Sequence, residues 1–159
     1  MTYPDTQSLV IASDYRVADP MRVPPLLEKR KSALAEIGAH HVVVHGSTLD
    51  PGRVLVSIAV HNPEPIVDLL RSRVFFEWFD AVGVEDIPAV FAGELVERID
   101  LTDAAHPGPP GVIVEAMTSV ADVSRLIEHV HVAVDRFRAA GIRKTWIFQA
   151  FDDPREVMI

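Results

Sequence analysis

The chain contains no cysteine. That absence excludes disulfide bonds, thiolate metal sites and a cysteine nucleophile together. Basic residues are scarce too: 15 Lys plus Arg stand against 23 Asp plus Glu, a formal charge of −8. Nucleic acids and anionic membranes are bound through basic patches that release counterions from phosphate, so neither is expected as a partner. The single basic run, Glu28-Lys29-Arg30-Lys31, falls inside a predicted helix and reads as its solvated face. No apolar run approaches the roughly 20 residues that span a bilayer. The opening Met1-Thr2-Tyr3-Pro4-Asp5 lacks the basic-then-apolar pattern of a secretory signal, so a cytoplasmic location is expected. There is no Gly-rich phosphate loop and no serine nucleophile elbow.

Apolar residues make up 48% of the 159, enough for a sizeable core. Ser8 to Val17 is rich in β-formers and predicts a strand. Pro20, Pro24 and Pro25 are tolerable only before or in the first turn of a helix, and Leu26, Leu27, Leu34 and Ile37 then recur at helical spacing up to a capping Gly38. His41 to Ser47 and Val54 to His61 predict two strands joined by the turn Leu49-Asp50-Pro51-Gly52. A second helical region carries Leu69, Leu70 and Phe75, with a break expected at Arg71-Ser72-Arg73. Ala89 to Leu101 predicts a fourth strand. The order is β-α-β-β-α-β, an α+β ferredoxin-like repeat over residues 1–101.

Residues 102–110, dense in Pro, Gly, Ala and Asp, read as a linker. The pattern then restarts: a strand over Val112 to Thr118, a helix over Ala121 to Ala140 with Leu126, Val130, Val134 and Phe137 inward, and strands at Thr145 to Phe151 and Val157 to Ile159. Laid over residues 8–56 without a gap, residues 111–159 match at eight of 49 positions, among them Gly38/Gly141 and Pro51/Pro154. Caps and turns are where backbone geometry needs a special residue, so the constant offset of 103 argues for a partial second repeat over 111–159. Three strands and one helix leave a sheet edge and face uncovered, which predicts a homo-oligomer or a longer natural chain.

The motif Ser-x-x-Asp-Pro-x-x-Val over Ser47 to Val54, then Leu70-Arg71-Ser72 and the cluster Phe75, Phe76, Trp78, Phe79, resembles the antibiotic-biosynthesis monooxygenase-like family. Phe151-Asp152-Asp153-Pro154-Arg155-Glu156-Val157 looks like the same turn again. The resemblance implies ferredoxin-like repeats forming a dimeric α/β barrel, in a family that includes cofactor-independent oxygenases of aromatic polyketides, haem-degrading enzymes and isomerases. Fold alone therefore licenses little about function. Haem-degrading relatives use a strand-1 Asn, a helix-2 Trp and a following His. Here strand 1 offers Ala12, Ser13 and Asp14, and the helix has Trp78 but no His, so no cofactor is expected.

Four histidines gather at the first hairpin. If Thr48 stands opposite Arg53, His40 lies across from His61 at about 5 Å between Cβ atoms. Zinc sites normally show three or four protein ligands, so this pair is at most a weak metal candidate. His41 and His45 share a face but lie about 13 Å apart along the strand, too far for one ion. His45 falls among Val43, Val56 and Ile58 and is the candidate catalytic residue, since an imidazole in an apolar pocket titrates near neutrality. Buried core histidines share that pattern. With Tyr15, His41 and Trp78 it completes the candidate ligand pocket. The known catalytic constellations are absent, which favours a non-catalytic small-molecule-binding or assembly module. The alternative is a cofactor-independent monooxygenase acting on an aromatic or other hydrophobic molecule.

Overall fold

The structure, a computed structural model, describes residues 9–61, 64–101 and 111–159. The expected linker 102–110 lies outside the described residues. The chain groups into two compact units, Met1–Ala92 and Gly93–Ile159.

In the first unit, β1 (Leu9–Arg16) is followed by a 3₁₀ turn that Asp19 opens by accepting the Met21 N–H. Helices α1 (Val23–Lys29) and α2 (Lys31–Glu36) come next, broken at Arg30 and closed by Gly38 at φ +80°. That left-handed conformation suits glycine because no Cβ opposes it. The hairpin β2 (Ala39–Gly46) and β3 (Arg53–Val60) follows, then α3 (Glu64–Arg71) and α4 (Arg73–Val82), parted at an extended Ser72 as expected. The next strand, β4 (Ala89–Asp100), begins in this unit. The antiparallel order is β2-β3-β1, with β4 beyond β1, which is the ferredoxin-like order.

The hairpin register differs from the expected one by a single residue. Gly46 stands opposite Val54 and His45 opposite Leu55, so Ser47, not Thr48, faces Arg53. The cause is local: the Ser47 hydroxyl accepts the N–H groups of both Leu49 and Asp50, which starts the turn one residue early. A one-residue slip moves alternate side chains to the opposite face. Tyr15, opposite Val54, joins Val54, Val56, Val23, Leu27, Phe79 and Val82 in the buried helix-side core. His45 instead shares the other face with Leu55 and Asp14.

The second unit pairs β4 with β6 (Lys144–Ala150), β6 with β7 (Glu156–Met158) and β7 with β5 (Met117–Ser119). Its core is Ile99, Val130 and Ile147 with the expected Leu126, Val134 and Phe137 against it. The single helix expected over Ala121 to Ala140 is two, α5 (Val123–Val132) and α6 (Val134–Ala139). The strand expected from Val112 is regular only from Met117. Its partner β7 offers three residues, so the β-formers before it have no ladder to join beyond Ala116, which bonds Ile159.

Several bonds recur at the offset of 103. Asp19 and Asp122 both cap the helical segment that follows them, Asp19 accepting the N–H two residues on (Met21) and Asp122 the N–H three residues on (Arg125). The N–H of Val17 meets the Gly52 carbonyl, and that of Val120 the Arg155 carbonyl, both at 2.8 Å. Gly38 and Gly141 have φ of 80° and 81°. The ladder pairs Tyr15↔Val54 and Thr118↔Val157 correspond, as do His45↔Leu55 and Phe148↔Met158.

Candidate functional site

Strand alternation carries Tyr15 into the helix-side core of the first unit, where it is completely buried. Phe79 meets its ring edge-on at 5.5 Å, and Phe75 meets Phe79 the same way at 5.0 Å. Such edge-to-face pairs match the positive rim of one ring to the negative face of another. The Tyr15 hydroxyl is buried with no hydrogen-bond partner among the described residues. Burial raises its pKa to about 12, because the phenolate would lose its hydration. The Trp78 indole N–H acts weakly in the opposite sense, from a position short of hydrogen-bond geometry. The phenol is a neutral donor across the physiological range.

Trp78 is half-buried on α4 and packs against this core. The Arg30 guanidinium lies over its ring, 5.6 Å from the centroid. Of the four pocket candidates, Tyr15 and Trp78 are therefore brought together. His41 and His45 are placed on the other face of the sheet.

His45 is half-buried, and its Nδ1 is buried without a hydrogen-bond partner among the described residues. Burial lowers its pKa below the ordinary imidazole value. Of its expected neighbours, Val43 shares its face, while Val56 and Ile58 point away from it, a consequence of the register. His41 is exposed opposite Ala59. His40 and His61 are neighbours, through a bulge between Ala39 and His41. Their rings stack at 4.1 Å with 22° between planes, presenting π faces and not converging nitrogens. Among the described residues no group of three or more His, Asp or Glu could hold a metal ion.

Sequence reasoning missed two features. One is Arg30, whose ring partner Trp78 lies 48 residues away, too far for any local pattern to signal. The other is an ion-pair network at the turn end of the unit. Arg53 reaches Asp14 at 3.0 Å and Asp86 at 2.9 Å, while Arg16 pairs with Asp50 and, at 3.7 Å, with Glu85. Asp86 also accepts the Arg16 backbone N–H at 2.8 Å, and that bond is the main reason its carboxyl is held below the usual range. The network ties the loop after α4 to β1 and β3. An open groove of about 590 Å³ lies beside it, lined by Arg16, Val17, Pro20, Asp50, Gly52 and Glu85, and none of the sequence candidates touches it.

No protein-family profile matches the chain, and no curated protein is similar to it by sequence. Solved structures are similar in fold. A provisionally named antibiotic biosynthesis monooxygenase from Bordetella bronchiseptica is 19% identical, with a TM-score of 0.46 over 57% of this chain and 100% of its own. One from Deinococcus radiodurans is 18% identical, with a TM-score of 0.47 over 60% of this chain and 99% of its own. A provisionally named monooxygenase from Lactobacillus acidophilus is 12% identical but covers 95% of this chain and 74% of its own, with a TM-score of 0.51. At these identities the likeness is one of fold alone, and the ferredoxin-like α+β reading of the residues stands with it.

Proposed function

We propose that the first unit is a non-catalytic small-molecule-binding module whose ligand sits against Trp78 and accepts a hydrogen bond from the Tyr15 hydroxyl. One observation carries this reading: a completely buried hydroxyl with no partner among the described residues. Leaving such a group unpaired costs about 1–3 kcal/mol, which a ligand oxygen placed there would remove. The second repeat is proposed as a copy of the same scaffold without the site, over residues 111–159 after the linker 102–110. Cytoplasmic residence and the absence of nucleic-acid partners are proposed on the zero cysteines and the −8 charge. Homo-oligomerisation is proposed on the short, unextended β5 edge.

Native mass spectrometry after gentle purification tests the binding reading. A small molecule retained by the wild type and lost from Tyr15→Phe is expected. In the ligand-free protein the same change is expected to raise stability by about 1 kcal/mol, because it removes an unpaired polar atom. A drop in stability would mean that the hydroxyl has a partner of its own, and the reading would fail.

The second reading is a cofactor-independent monooxygenase acting on an aromatic or other hydrophobic molecule. The observation favouring it is the bare Nδ1 of His45, a neutral imidazole able to take a proton. His45 and the Tyr15 site lie on opposite faces of the sheet, which weighs against one substrate reaching both. Oxygen consumption with an aromatic phenol, abolished in His45→Phe, would reverse the order of the two readings.

A further inference from the structure

Arg30 is the one member of the basic run that leaves the solvated face. Half-buried at the break between α1 and α2, it holds its guanidinium over Trp78. The nearest carboxylate in sequence, Glu28, is taken by Lys31 at 3.4 Å. Arg30 meets a ring and is paired with no carboxylate among the described residues. A guanidinium over an aromatic ring keeps its planar fork of N–H donors, which matches the two oxygens of a carboxylate. Close to the same indole is the unpaired Tyr15 hydroxyl, an independent sign that a polar atom belongs there.

We propose that the ligand of this site is an organic carboxylate with an apolar, ring-bearing body, and that Arg30 holds its carboxylate. The proposal rests on the binding reading given above. The ring body packs along Trp78, the carboxylate meets the Arg30 fork, and a second oxygen accepts from Tyr15. In a chain of net charge −8, such a ligand is drawn in only by a local cation, so binding should weaken as salt rises.

The test uses 2-naphthoate and 2-naphthamide, which share a ring and differ in charge, titrated into the full chain by calorimetry. Naphthoate is expected to bind about tenfold or more tightly, the effect of a charge-assisted hydrogen-bonded pair. Arg30→Gln should abolish the difference, lowering naphthoate affinity by more than it lowers naphthamide affinity. Arg30→Lys, which keeps the charge without the fork, should restore part of it. Equal affinities in the wild type, or a difference that survives Arg30→Gln, would overturn the proposal. If naphthamide binding still weakens in Tyr15→Phe, the site itself stands and only the carboxylate assignment falls. If neither probe binds, or binding ignores Tyr15→Phe, the site reading falls and the carboxylate assignment with it.

Discussion

Strand β1 and the segment 103 residues after it make matching ladder pairs, Tyr15 with Val54 and Thr118 with Val157, and differ in almost everything chemical. Tyr15 becomes Thr118, Arg16 becomes Ser119 and Asp14 becomes Met117. Along β1 nearly every residue is buried, whereas Val112 is 65% and Val114 89% exposed. The backbone devices behave in the opposite way: both aspartate caps, both left-handed glycines and both turn prolines recur. Geometry is repeated and chemistry is not. Caps and turns answer to backbone geometry wherever a chain folds this way, while side chains answer to what each unit buries.

The strongest way to break that contrast is to truncate the paired positions. Tyr15→Ala removes an aromatic ring from a closed core and should cost about 3–5 kcal/mol in denaturant unfolding. Thr118→Ala, on an exposed strand, should cost no more than about 0.5 kcal/mol. Comparable losses at both positions would show that the units use them alike.

The repeated geometry is tested by Gly38→Ala and Gly141→Ala. Each forces a Cβ into a left-handed conformation and should cost about 1–2 kcal/mol, nearly equally. A methyl group at either position would meet only ordinary van der Waals neighbours or open space, so strain and not crowding would set the loss. A loss at only one of the two would break the correspondence.

The smallest effect is expected at His45, whose counterpart is already Phe148. His45→Phe should change stability at pH 8 by less than about 1 kcal/mol, because a planar ring fills similar space. The difference should appear on acidification. The folded-state pKa lies below the unfolded value of about 6.5, so the neutral ring's contribution is whole above that pH and is lost as pH falls through the folded value. Melting curves of wild type and variant should diverge below about pH 6.5, with the variant flatter. Parallel curves would mean that the ring is freely hydrated.

Much of this was legible in the residues. Asp-Pro-Gly places the first turn, Gly38 and Gly141 end helices, and the Leu126, Val130, Val134, Phe137 stripe faces a core. These signals are local, and local signals survive folding. The hairpin register was not legible, because it depends on the Ser47 hydroxyl reaching two backbone N–H groups, and that choice re-aimed His45. The helix breaks at Arg30 and Ala133 carry no Gly or Pro to announce them. Tyr15 and Trp78 were picked out as pocket residues, but their meeting, and that of Arg30 with Trp78, depends on α1 and α4 packing on one sheet face, which no spacing encodes.

The exposed run Val112-Ile113-Val114 also bears on how the protein behaves in a concentrated solution. Three β-branched residues beside a short strand offer other chains a template for pairing, and short apolar segments of this kind seed fibrillar aggregates. At neutral pH the surplus of carboxylates keeps the molecules apart. Mild acid removes that repulsion and leaves the apolar run unchanged, so storage near the isoelectric point, about 5.3, is where turbidity should first appear.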